Sequence, residues 1–146
     1  GMVIEIGPVP QGLLHQTIIL QTLRVLEVFL EEIAKVRFRK EKFPKQLIIH
    51  RHIKSLDFPR DKKGNPKAFI HNDLQGKDWM PINKGHNLFQ GSNGEEFPFL
   101  SDESLVPVFI NEAAYVEKNI AISLTKREIW KFNERWKKDL KDLVAD

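Results

Sequence analysis

Cysteine is absent from the 146-residue sequence. That excludes disulfides and any zinc site built on thiolates, and it fits a cytoplasmic location, where thiols stay reduced. No run of about eighteen apolar residues occurs, so no membrane-spanning helix is expected. No block of five or more like charges occurs either, and the net charge is only +3. A nucleic-acid binder usually carries a basic stripe, so neither nucleic acid nor membrane is expected as a partner. What is present is ordinary for a globular chain: 41% hydrophobic and 29% charged residues, at a length suited to one domain with a real core.

Gly1 before Met2 reads as a tag remnant. Residues 2–6 alternate as a half-buried strand, with Glu5 a lone carboxylate among aliphatic neighbours, and stop at Gly7-Pro8. The strand enters with no cap or basic leader, so the chain reads as starting partway through a fold. From residue 13 to about 36 the period changes. Ile19, Leu23, Leu26, Leu30 and Ile33 make one helical stripe, expected to face a core, with Arg24, Glu27, Glu31 and Lys35 on other faces. His15 is expected near the helix start, as a cap-region or surface residue.

A basic linker ends at Phe43-Pro44, and residues 47–56 read as a strand with His50 and His52 on one face. A His-x-His pair can ligate zinc, but two ligands are not a site, and no third His or Cys sits at a supporting spacing. Residues 57–67 are a turn by composition. Ala68-Phe-Ile-His71 is a short strand, Trp79 is expected to anchor a loop against the core, and Gly91-Ser-Asn-Gly94 signals a hairpin. Gly91 and Gly94 do not form a phosphate loop, since no Lys-Ser/Thr or helix completes them. Thr125-Lys-Arg-Glu128 has the spacing of a capping box, which places a helix from residue 125 with Ile129, Phe132, Trp136, Leu140 and Leu143 as its apolar stripe.

The run Leu105-Val-Pro-Val-Phe-Ile110 breaks into Asn111-Glu112-Ala-Ala-Tyr115. Polar groups at the end of a buried strand suit either a simple turn or a site on a rigid scaffold.

Several motifs, in order, resemble the second half of the aspartoacylase/succinylglutamate desuccinylase family. They are Val3-Ile-Glu-Ile-Gly-Pro8 with Pro10-Gln-Gly12, Asp57-Phe-Pro-Arg-Asp61, and Ile70-His-Asn-Asp-Leu-Gln-Gly-Lys-Asp-Trp79. Gly85, Leu88-Phe89 and Val106-Pro-Val-Phe-Ile-Asn-Glu-Ala-Ala-Tyr115 follow. The resemblance covers roughly residues 2–122 and implies a zinc-dependent amidohydrolase acting on N-acyl amino acids. By the same resemblance Glu5 matches the general base that takes a proton from zinc-bound water. Tyr115 matches the tyrosine whose hydroxyl bonds a substrate carboxylate.

The family's ligands, a His-x-x-Glu pair and a later histidine, lie in the half that precedes these motifs, and no His-x-x-Glu occurs in this sequence. No metal ligand is therefore assigned. Zinc is expected in the full-length family enzyme and not on this chain, which is expected to be silent alone.

The expected architecture is α+β. A leading strand and long helix (2–43) form the tail of a carboxypeptidase-like α/β domain. A mainly antiparallel β domain, as a sheet or partly open barrel, covers 44–124, and a C-terminal amphipathic helix covers 125–146. The competing expectation is a non-catalytic assembly module that forms a homo-oligomer through its helices, since an uncovered apolar face drives association.

Overall fold

The computed structural model describes residues 4, 6–7, 9, 12–38 and 40–144, and the chain forms two compact units. One comprises Gly1–Leu47 with Lys131–Asp146, the other Ile48–Trp130.

In the first unit, helix α1 spans Gln16–Arg37, as its apolar period demands, with His15 as N-cap and Lys35 and Arg37 in the last turn. Cations there complement the partial negative charge of the helix end. The stripe expected to face a core does not do so within this unit. Val36 is the buried residue of the helix, while Ile19, Leu23, Leu26 and Leu30 are 41–56% exposed. Helix α2 spans Glu134–Leu143, and its cap is Asn133, whose side-chain oxygen accepts from the Arg135 N–H at 2.8 Å. Phe43 stacks on Phe132 at 5.0 Å, Phe132 meets Trp136 edge-on at 5.8 Å, and Lys141 pairs with Glu41 at 2.6 Å.

The second unit holds two three-stranded sheets. Strands β1 (Gln46–Leu56), β5 (Val106–Val108) and β6 (Ile122–Lys131) form one, in the order β1-β6-β5. Strands β2 (Ala68–Ile70), β3 (Asn87–Gly91) and β4 (Glu96–Pro98) form the other as an antiparallel meander. The β3–β4 hairpin turns where the glycines require it: Gly94 sits at φ +84°, and its N–H donates to the Gly91 carbonyl at 2.9 Å. Both sheets feed one core, in which Ile70, Leu88 and Phe89 meet Leu74, Ile82, Ile122 and Leu124. Each fully buried aliphatic side chain contributes roughly 1.5–3 kcal/mol. Pro107, buried in β5, is tolerated because β5 is an edge strand and its missing N–H breaks no central ladder.

The capping box expected at Thr125 is corrected by this fold. Residues 122–131 are strand, and the final helix begins at Glu134. The Thr125 hydroxyl donates to the Val106 carbonyl across the sheet at 2.9 Å. The Glu128 carboxylate, instead of turning back to a helix start, takes the Arg51 guanidinium at 2.6 and 2.8 Å and the Trp130 indole N–H at 2.9 Å. Burial of Ile122, Ser123, Leu124 and Thr125 in succession outweighs the local spacing. The strand expected at residues 2–6 lies largely outside the described residues.

Candidate functional site

The segment after β5 is built by unusual backbone. Phe109 and Asn111 both take positive φ, at 55° and 56°, on either side of the buried Ile110. Left-handed conformations cost an L-residue roughly 1–2 kcal/mol, so the surroundings must hold them. They do. The Ile110 N–H donates to the Asp78 carboxylate at 3.2 Å, the Asn111 N–H to the Ala121 carbonyl at 2.8 Å, and the Ala121 N–H to the Leu56 carbonyl at 2.7 Å.

Between those anchors runs a 3-10 turn, Ala113–Lys118, which closes at Asn119 with φ 54°. Tyr115 sits inside it. Its N–H donates to the Glu112 carbonyl at 3.0 Å, and its own carbonyl accepts from the Ile120 N–H at 3.2 Å. The half-buried ring packs 5.3 Å from Phe109, and the Lys118 ammonium lies 5.7 Å from the Tyr115 ring centre. No hydrogen bond engages the Tyr115 hydroxyl among the described residues. A phenol with a cation nearby on a doubly anchored turn can donate to an anionic ligand.

Trp79, expected as a core anchor, is instead 58% exposed and holds φ 68°. Its N–H donates to the Pro107 carbonyl at 2.9 Å, so its backbone, not its ring, ties the 72–81 loop to β5. The indole meets His50 edge-on at 5.1 Å beside a groove of about 480 Å³ that also involves Lys126 and Arg127.

His50 and His52 have separate partners. His50 Nδ1 is 3.4 Å from the Thr125 hydroxyl, and His52 Nε2 is 3.1 Å from the Ser55 hydroxyl. No three metal-binding side chains come together among the described residues, so those residues do not fit a zinc site. Glu5, the other residue singled out by sequence, lies outside the described residues.

The motif Asp57-Phe-Pro-Arg-Asp61 supplies contacts that sequence reading did not assign. Arg60 grips Asp57 through two nitrogens, at 2.6 and 3.0 Å, and reaches the Asn119 side-chain oxygen at 2.9 Å. The Arg60 guanidinium beside Asp57 holds that carboxyl below its ordinary value, an effect reinforced by the Phe58 N–H. The i, i+3 spacing of Asp57 and Arg60 was a local signal. The reach to Asn119 had none.

Two three-stranded sheets, a turn after β5 held by carbonyl and carboxylate anchors, and the two helices define a mixed α+β chain. Residues 45–127 match the AstE/AspA barrel-sandwich hybrid domain, and the chain belongs to the AstE/AspA family.

Its relatives include two Prochlorococcus marinus proteins named "Probable aspartoacylase". One is 53% identical over 147 residues, and the other, of strain NATL1A, is 54% identical over 144 residues. These alignments cover 99% of this chain and 48% and 47% of the relatives, so the chain spans about half their length. The crystal structure of murine aminoacylase 3 superposes with a TM-score of 0.76 at 31% identity, over 84% of this chain and 41% of that one. No helix among the described residues is long and apolar enough to cross a membrane.

Proposed function

We propose that the chain is the C-terminal part of an aspartoacylase-like, zinc-dependent hydrolase that cleaves the amide of N-acyl amino acids of the N-acetylaspartate type. The observation that carries this reading is the alignment of nearly the whole chain, at above 50% identity, to relatives named as probable aspartoacylases. Tyr115 is the substrate-binding residue in this reading: its hydroxyl donates to a substrate carboxylate, and the Lys118 charge favours the same anion. Glu5 is the general base that accepts a proton from the attacking water. No three ligands come together among the described residues, and the family resemblance implies a metal held by the part of the enzyme that precedes these motifs. On this reading the chain has no deacylase activity alone, and the uncovered α1 stripe is the face against which the complementary half packs.

The test combines the chain with a separately produced N-terminal half of a relative and zinc, and follows acetate release from N-acetylaspartate. Activity should require both halves. Tyr115→Phe should lower kcat/KM roughly 10- to 150-fold, the loss of one hydrogen bond to a charged group at about 1.5–3 kcal/mol. A stable complex without turnover, or a Tyr115→Phe variant with unchanged kcat/KM, would refute the assignment.

The exposed α1 stripe also supports a second reading, an assembly module that forms a homo-oligomer through this face. A monomer in solution at high micromolar concentration would remove it.

A further inference from the structure

We propose that Arg60 is a positioning residue for Tyr115, acting through the side chain of Asn119. The proposal rests on the reading of Tyr115 as a substrate-binding residue, and it gives the Asp57-Phe-Pro-Arg-Asp61 motif a task.

The geometry is a chain of short contacts. Arg60 Nε and Nη2 bond the two Asp57 carboxylate oxygens at 2.6 and 3.0 Å, Nη1 bonds the Gly64 carbonyl at 2.7 Å, and Nη2 bonds Asn119 Oδ1 at 2.9 Å. Asp57 is itself fixed, because its Oδ1 accepts the Phe58 N–H at 2.7 Å. Gly64 presents its carbonyl from φ +86°, a conformation suited to glycine. The guanidinium is thus a rigid planar bracket joining the end of β1, the 57–67 turn and Asn119. Its fork is spent on protein oxygens and not offered to a substrate carboxylate, which makes its role one of positioning rather than ligand binding.

Asn119 is where the bracket meets the site. It closes the 3-10 turn in the left-handed region at φ 54°, and that reversal lets the Ile120 N–H reach the Tyr115 carbonyl at 3.2 Å and the Ala121 N–H reach the Leu56 carbonyl at 2.7 Å. Without the Arg60 bond, the polar side chain of Asn119 loses the partner that holds it there. The turn then loses its side-chain tie to the 57–67 turn, and the Tyr115 ring its fixed place against Phe109. A hydrogen bond from a mobile phenol must repay the ordering of the side chain, so affinity for the ligand falls.

Tyr115 is the sole tyrosine of the sequence, which makes the test direct. The full chain, labelled with 3-fluorotyrosine, should give one fluorine resonance. Asn119→Gly keeps the left-handed turn but deletes the Arg60 partner, and it should shift or broaden that resonance by more than a linewidth. Asn119→Asp keeps an acceptor and should leave it in place. Arg60→Gln should behave as Asn119→Gly, and Arg60→Lys should fall between. A merely structural role predicts a lower Tm for Arg60→Gln with the Tyr115 resonance unmoved, and that result, or an unmoved resonance in Asn119→Gly, overturns the proposal. If Arg60→Gln fails to fold, Asn119→Gly alone decides.

The second measurement uses the two-half enzyme. Arg60→Gln and Tyr115→Phe should each raise KM more than they lower kcat, and the double variant should be no worse than Tyr115→Phe, since both act through one group. Additive losses overturn the proposal. A resonance that moves while Tyr115→Phe leaves KM unchanged rejects the substrate role of Tyr115 instead, so the two failures are told apart.

Discussion

Asn111 offers a clean reading of the strain beside Tyr115. It holds φ 56°, its side chain is exposed, and that side chain makes no hydrogen bond among the described residues. Its N–H does matter, donating to the Ala121 carbonyl at 2.8 Å. A substitution that keeps the N–H therefore changes the backbone preference and little else. Phe109 holds the same conformation, but its ring packs on Tyr115, so truncation there would mix two effects.

Asparagine tolerates the left-handed region better than alanine does, and glycine better still. Asn111→Gly removes the steric penalty but frees the unfolded chain, so its net effect should lie within about 0.5 kcal/mol of zero. Asn111→Ala should cost about 1 kcal/mol, and Asn111→Val about 2 kcal/mol, because a β-branched residue at positive φ is a real outlier. For a unit of this size each 1 kcal/mol lowers Tm by roughly 4–8 °C. Urea denaturation with a shared m-value is the assay, since a changed m would signal a different unfolded state. The order Gly, Asn, Ala, Val is the expected result. Equal losses for Asn111→Gly and Asn111→Ala would refute the reasoning, because they would trace the effect to the asparagine side chain.

Two further outcomes follow from the packing and the charges. Leu124, 0% exposed between the sheets, should lose about 2–5 kcal/mol on truncation to alanine, whereas Leu30→Ala on the uncovered α1 face should lose less than about 1 kcal/mol; similar losses in urea titrations would mean that α1 is covered in solution. Asp57 and Glu128 are both held below their ordinary values of 3.8 and 4.5, chiefly by hydrogen bonds from Arg60 and Arg51. Carboxyls depressed in the folded state stabilise it above the unfolded values, and that stability is lost as pH falls through the folded ones. Tm should therefore hold above about pH 5 and decline below about pH 4, with Asp57→Asn and Glu128→Gln flattening the decline. A wild-type Tm that stays level to pH 3 contradicts this.

Local periodicity was enough to place α1, β1 and the β3–β4 hairpin in the sequence, because each depends on neighbours a few residues away. It failed at Thr125. The spacing Thr-x-x-Glu is the same in a strand as at a helix start, and what decides between them is β5, about twenty residues earlier in the chain, which accepts the Thr125 hydroxyl. The alternation Ile122-Ser-Leu-Thr125 pointed to a strand, but the longer apolar stripe through Trp136 and Leu140 ran on from it and obscured the change of period. Trp79 misled for a related reason. A large aromatic reads as a core residue, and nothing local shows that its backbone takes positive φ to meet Pro107. For the candidate site, the break after Ile110 was visible as composition. The anchors that turn it into a fixed platform were not, since Asp78, Leu56 and Arg60 lie 32 or more residues away from their partners.

The described non-glycine residues with positive φ are Trp79, Phe109, Asn111 and Asn119. All four either lie in the 105–121 segment or bond directly to it, through Trp79 N–H to Pro107 O. Such conformations cost of order 1–3 kcal/mol each and persist only where the surroundings over-determine them. A turn whose sole task was to connect β5 to β6 could relax by changing a few residues, and would need neither the Asp78 carboxylate nor the Arg60 bracket to hold it. The concentration of strain and of long-range anchors at one short segment is therefore better explained by a demand for precise placement than by connection alone. Tyr115 lies between those anchors with its hydroxyl unengaged among the described residues, and placing a phenol for an incoming anion is a task that uses such rigidity.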